Sequence, residues 1–220
     1  MSVLDILLNY HEGFLQGLAV TLQLYGIIVG VGVIAGVAFG VFAAEVPAAG
    51  YASQAAAFFL GAVPTLVFLF WLHYPIQAIF NVVIDPFITA AFTLSVVNFF
   101  AVSELVRQAV KDFPRQYLIA GRVCGLPTRD IVLKIQLPML FRQLLPSLLI
   151  TQVGMLHATL FASLISVEEL FRVAQRINAQ IYKPVEIYTA LGLFFLVVCL
   201  PINLFAHWFK YKYTRDFSER

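Results

Sequence analysis

The sequence predicts an all-α integral membrane protein with five transmembrane helices and one water-facing helical loop. Three observations carry that expectation. First, 61% of the residues are hydrophobic and only 12% charged, with a mean hydropathy of +0.88, whereas a soluble domain carries about 25% charged residues. Second, apolar runs of about 20 residues recur along the chain. They are too many for a soluble core of this size to hide, and in lipid they satisfy their backbone groups only as helices. Third, the charge is lopsided. Residues 107–143 hold seven of the 14 Lys/Arg (Arg107, Lys111, Arg115, Arg122, Arg129, Lys134 and Arg142), and no Lys or Arg precedes them.

One domain, residues 1–220, is expected, with the loop at about 111–143. The formal net charge of +2 is too small to imply nucleic acid as a partner. Cys124 and Cys199 fall in the loop and in the last span, so neither a disulfide nor a metal framework is suggested. The N-terminus lacks a basic n-region, so no cleaved signal peptide is expected.

The five spans fall at about 17–44, 54–74, 87–106, 144–165 and 187–209. In the first, Gly26 and Gly30 form one small-xxx-small series and Gly32, Gly36 and Gly40 a second; glycines so spaced let another helix approach closely. The second holds Gly61 and Pro64, and the missing proline N–H predicts a kink, either a structural one or a broken helix that lines a substrate path. The last closes on Trp208, Tyr211 and Tyr213 beside Lys210 and Lys212, an interfacial belt. An odd span count puts the termini on opposite sides. With the loop in the cytoplasm, the C-terminal tail joins it and 11 of the 14 basic residues (seven plus Lys210, Lys212, Arg215 and Arg220) lie inside. The positive-inside rule thus places the N-terminus outside.

Within the loop, residues 117–124 suit a short helix. Gly125 suits its left-handed cap, and Pro127 suits the start of a second helix, expected to run to about Gln136 and stop near Leu137-Pro138. After the fourth span, Ser166 followed by Glu169 reads as a capping box, and Glu168 with Arg172 as an i,i+4 pair. Leu170, Val173, Ala174, Ile177 and Ile181 then mark the apolar face of a helix lying on the bundle, reaching Lys183-Pro184.

Ala120-Gly121, Gly125 and Ile135-x-Leu137-Pro138 resemble the EAA-type loop of permease subunits in bacterial ABC importers. Gly17-x3-Thr21-Leu22, Pro64, Ser103-Glu104-x2-Arg107, Ser163-x-Ile165-x3-Glu169-Leu170 and Arg172-Val173-Ala174 resemble, in order, elements of the polar amino acid branch of that family. The chain departs from the pattern at Ile119, where the motif has glutamate, at Gly61-Ala62-Val63 in place of arginine-glycine-threonine, and at His157-Ala158 in place of lysine-aspartate. The resemblance implies a permease subunit of the cytoplasmic (inner) membrane that moves amino acids or similar small polar solutes by alternating access. Its implied partners are an ATP-binding cassette ATPase subunit, a second permease subunit (the same chain or another), an extracytoplasmic solute-binding protein and membrane lipid. Ala120, Gly121, Arg122, Gly125, Leu126, Leu137 and Pro138 are the implied ATPase-coupling residues.

No catalytic constellation, cofactor motif or metal-ligand spacing stands out. The G-x4-GK[ST] nucleotide loop is missing, so ATP hydrolysis is expected in a separate chain. Polar groups inside spans are candidates for the substrate path: His157 first, with Gln152, Thr159, Asn98 and Gln23 weaker; interhelical hydrogen bonds are the alternative role. Glu104 and Arg107, three apart, are expected to form a structural ion pair, and His73 and Asp85 to be solvated beside an outer loop. A gradient-driven secondary transporter is the rival function. It calls for carboxylates inside the spans, and only Glu104, near a span end, qualifies. A non-transporting scaffold that binds acidic head groups through the loop is a third reading.

Overall fold

The computed structural model describes residues 3–218, with side chains through residue 212, and the described residues form helices and connections without a strand. A short α1 (Val3–Asn9) leads into α2 (His11–Glu45). Then come α3 (Pro47–Ala62), α4 (Thr65–His73), α5 (Pro75–Phe80), α6 (Pro86–Lys111) and α7 (Arg115–Val123). One continuous helix, α8, spans Thr128–Ile165; α9 (Leu170–Ile181) and α10 (Pro184–Ser218) complete the chain. Four helices (α2, α6, α8 and the Pro184–Lys212 part of α10) are long and apolar enough to cross a membrane, and a broken α3–α4/α5 pair makes up to five.

The glycine series separate cleanly. α2 lies along α6, and a Cβ at Gly36 would meet the Phe99 carbonyl at 2.9 Å. At Gly40 it would meet the Ser103 carbonyl at 2.6 Å, and at Gly32 the Asn98 side chain. Gly26 and Gly30 have nothing within 4 Å. Leu24 and Ile28 of α2, Leu94 of α6, and Ala158 and Ala162 of α8 fill the central core.

Several expectations are corrected. The second span is not one kinked helix: α3 and the α4–α5 segment meet at 95° across Val63-Pro64. The second loop helix does not stop at Leu137-Pro138. It widens into a π-helix over Ile131–Gln136 and continues into the fourth span, with Leu137 N–H donating to the Val132 carbonyl five residues back. Pro138 cannot donate to a carbonyl four residues back, and its ring would crowd that carbonyl; the π-turn just before it absorbs the misfit without ending the helix. The helix that carries the fourth span therefore begins at Thr128, ahead of the apolar run that starts near 144. Ser166 is not the cap of α9. It takes a left-handed conformation (φ 71°) that closes the 3-10 end of α8, and Glu169 is the N-cap. Asp85 is exposed but also caps α6, accepting from the Phe87 and Ile88 amides, and His73 contacts Tyr74 and Gln77. In the terminal belt, Lys212 sits over the Trp208 ring (4.9 Å), while the Tyr213 side chain lies outside the described residues.

Candidate functional site

Two places concentrate the polar and charged chemistry, one at each end of the bundle. At the basic end, α7 stops in a Schellman arrangement. Gly125, at φ 75°, donates to the Arg122 carbonyl (3.0 Å) and Leu126 to the Gly121 carbonyl (3.1 Å); a left-handed residue at this point costs glycine least. α7 then crosses the π segment of α8 at Gly121, whose added Cβ would sit 3.0 Å from the Ile131 side chain. Gly121 and Ile131 are buried at that crossing, and Phe113 and Leu140 pack beneath with Tyr117 and Leu118. The outer surface is unlike that inner one. Ala120, Arg122, Gly125, Leu126, Leu137 and Pro138 are exposed, as are Ile119, Val123 and Arg129. A firm elbow thus presents an apolar face edged with cations. Such a surface suits a protein cleft, because aliphatic side chains this exposed leave their area in water until something covers it.

Glu104 and Arg107, near this end of α6, pair through two hydrogen bonds, from Arg107 Nε to one carboxylate oxygen (2.7 Å) and from Nη2 to the other (2.5 Å). Gln108 adds a third at 2.8 Å. The pair is largely buried, and its bidentate form leaves little charge unsatisfied.

Of the five span candidates, the structure joins two and leaves Gln23 exposed on α2. Asn98 Nδ2 donates to Gln152 Oε1 (3.0 Å) and Gln152 Nε2 returns a bond to Asn98 Oδ1 (3.1 Å). Asn98 Nδ2 also donates to the Ile28 carbonyl (3.0 Å), so α2, α6 and α8 are tied at one buried point. Thr159 is buried and bonds the Leu156 carbonyl of its own helix. His157 faces the other way, exposed, with its ring 6.0 Å from that of Phe195 on α10.

At the far end sits a cluster that sequence spacing does not reveal. Glu169 is fully buried and caps α9, accepting from the Phe171 (2.9 Å) and Arg172 (2.8 Å) amides. Beside it, Thr21 of α2 accepts from the Leu170 amide (3.0 Å) and donates to the Gly17 carbonyl (2.9 Å). Gly17 permits the contact, since its Cβ would lie 2.9 Å from Val173 and 3.0 Å from the Leu170 backbone. Burial raises the Glu169 carboxyl to about 7 against the opposing pull of the two amides and the Thr21 hydroxyl, with a smaller push upward from Glu168. Thr21 and Leu170 are 149 residues apart, and only the family-like Gly17-x3-Thr21 spacing marks the α2 half.

Known proteins resemble this chain in sequence and in fold. The profile of the family described as Binding-protein-dependent transport system inner membrane component matches residues 36–215. The L-cystine transport system permease protein of Bacillus subtilis is 34% identical over 147 residues, 66% of this chain and 62% of the relative. The glutamine transport system permease protein of Escherichia coli K12 is 28% identical over 141 residues, 64% of each. The matched stretch therefore spans less than two thirds of either relative. An amino acid ABC transporter crystal structure solved with histidines superposes with a TM-score of 0.82 at 21% identity, covering 96% of this chain and 99% of that one. The inward-facing MetNI methionine ABC transporter does so at 0.70 and 17% identity, covering 94% and 99%. At such identities the structural likeness speaks for the fold.

Proposed function

We infer the function of this chain from one premise: it belongs to the family of binding-protein-dependent transport system inner membrane components. It is a multi-pass protein of the inner membrane, built on the fold shared by ABC importer permeases. On our reading it is the membrane-spanning subunit of an ATP-driven importer for amino acids or similar small polar solutes. ATP is hydrolysed by a separate cassette subunit, solute arrives on an extracytoplasmic binding protein, and a second permease subunit completes the path. The basic loop and C-terminal tail face the cytoplasm and, with the broken pair counted as one span, the N-terminus the outside, a reading that the distribution of Lys and Arg supports.

The observation that carries this reading is the α7–α8 elbow. Its inner face is locked by Gly121 on Ile131 and by the Gly125 cap, while its outer face offers Ile119, Val123 and Leu126 among Arg122 and Arg129. Because α8 runs unbroken from the elbow into the membrane, a push on the elbow is delivered directly to a span. Rigid-body rocking of the spans then exchanges access from one side to the other. Among the described residues, Glu104 is the span carboxylate that a proton- or ion-gradient relay could use, and it lies near the basic end of α6 paired with Arg107, which disfavours such a relay.

The test is co-expression with a cassette ATPase and a binding protein, purification, and ATP hydrolysis in lipid. Solute-stimulated hydrolysis that is lost in Arg122→Glu supports the reading. Transport that persists without any ATPase bound to the chain overturns it.

A further inference from the structure

The basic end of the bundle holds a recess apart from the outer face of the elbow. A cavity of about 500 Å3 opens where the ends of α2 and α6 meet the base of α7. Lys111 and Arg115 line it, and Glu45 is the one carboxylate among its lining residues. Val110, Phe113 and Leu118 give it apolar walls. Among the described residues, neither Lys111 nor Arg115 has an ion-pair partner. The Lys111 ammonium lies over the start of α3, 3.7 Å from where a Cβ on Gly50 would stand. Two cations and one carboxylate leave the recess one positive charge in excess, so it is complementary to a ligand of net charge −1.

Depth and the adjoining surface say what that ligand is. Lys111 stands roughly 38 Å from the Pro86 end of α6 at the α-helical rise, more than a hydrocarbon core of about 30 Å, which puts the recess at the level of lipid head groups. Ala44 of α2 also lines it. Val41, Val37 and Ile34 share the Ala44 face of α2 at helical spacing, and all three are exposed. That apolar stripe runs roughly 15 Å from Ala44 to Ile34, about the depth of one leaflet. Resting on the importer reading above, with this end in the cytoplasm, we propose that the recess binds an anionic phospholipid of the inner leaflet. Its phosphodiester sits between Lys111 and Arg115, and one acyl chain lies along Val41, Val37 and Ile34. Glu45 disfavours a second negative charge and accepts from a hydroxylated head group such as glycerol. A lipid so held bridges the α2–α3 turn and the base of α7.

The experiment is native mass spectrometry of the full chain, purified with its ATPase in neutral detergent and titrated with dioleoyl phosphatidylglycerol, phosphatidylethanolamine or phosphatidylcholine. We expect phosphatidylglycerol to bind about fivefold more tightly than the other two, the effect of one uncompensated cation near the surface. Lys111→Gln and Arg115→Gln should each remove most of that preference. Lys210→Gln, which takes the same charge from the C-terminal helix, should leave it unchanged. Glu45→Gln should enlarge it, a gain that loss of folding cannot imitate. Glycerol 1-phosphate carries the phosphate without the chains and should not displace the lipid. Equal binding of the three lipids overturns the proposal, as does an equal loss in Lys210→Gln and Lys111→Gln. Displacement by glycerol 1-phosphate overturns it in favour of a soluble phosphate. A preference for phosphatidylethanolamine that Glu45→Gln abolishes overturns it in favour of a zwitterionic lipid. The same spectra report whether the ATPase is bound, and the lipid preference is scored on whichever species carries the chain. Failure of the importer reading therefore shows as a lost complex, and failure of this site as a lost preference.

Discussion

At the basic end, α7 is stopped by Gly125 and seated by Gly121, and every group in that arrangement lies within about a dozen residues of sequence. At the far end, α9 is started by Glu169 and seated on Gly17 and Thr21, whose partners are some 150 residues away. Both ends fasten a short helix to a long one, and both rely on a glycine that admits close backbone approach. The difference is in what is buried. The elbow buries aliphatic surface and keeps its charges in water, while the α9 latch buries a carboxyl and a hydroxyl. The elbow is therefore sensitive to volume, whereas the latch is sensitive to volume and, through Glu169, to pH.

The largest expected effect comes from filling the elbow. Gly121→Leu drives a side chain into Ile131 and Ile135, an overpacking that costs about 1–3 kcal/mol and separates α7 from α8. Solute-stimulated ATP hydrolysis in lipid should fall by an order of magnitude or more, while Gly26→Leu, on the open face of α2, should leave the fold intact. A Gly121→Leu protein with normal stimulated hydrolysis would show that the elbow carries no thrust.

Next is the pH response of the latch. Glu169 has a folded pKa of about 7, above its ordinary value of 4.5. A carboxyl raised in this way contributes stability that is complete below the unfolded value and is lost as pH rises through the folded one. Docking of α9 should thus be firmest near pH 5 and weaken toward pH 8, by up to about 3 kcal/mol for a shift of this size. Hydrogen-exchange protection of the Phe171 and Arg172 amides, corrected for intrinsic rates, measures it. Glu169→Gln should flatten the profile, and a wild-type profile already flat would mean that the carboxyl is solvated. Thr21→Val follows, leaving the Leu170 amide without its acceptor at a cost of about 1–3 kcal/mol. It should lower protection in α9 without touching α7, and its effect should not add to that of Glu169→Gln, since the two side chains share one pocket.

The same contrast explains what the sequence disclosed. The spans, the basic elbow and its glycine cap were legible because hydropathy, charge and a left-handed glycine act locally: Gly125 reads as a cap wherever it is found. The amphipathic face of α9 was legible for the same reason, from Leu170, Val173, Ala174 and Ile177 at helical spacing. Two local signals misled. Leu137-Pro138 reads as a stop, but one π-turn lets the helix pass through it. Ser166 reads as a cap, but it turns left-handed to close the end of α8, and Glu169 takes the role. The Asn98–Gln152 pair was visible only as two polar residues in separate spans, because nothing in either segment states the register between α6 and α8. Which glycine series meets α6 was hidden as well, since Gly26 and Gly32 look alike until the rotation of α2 is known.

The smallest effect isolates the elbow's cap from its packing. At Gly125 no neighbour lies within 4 Å of an added Cβ, so Gly125→Ala is resisted by the positive φ alone. The strain is about 1 kcal/mol, too little to unfold the loop but enough to fray the Schellman bonds from Gly125 and Leu126. Protection of those two amides should drop several-fold, with stimulated ATP hydrolysis reduced about twofold and basal hydrolysis unchanged. Gly125→Asn should recover much of the loss, because asparagine tolerates the left-handed region better than alanine. If asparagine and alanine behave alike, the cap's conformation does not matter, and the elbow owes its shape to the Gly121 crossing.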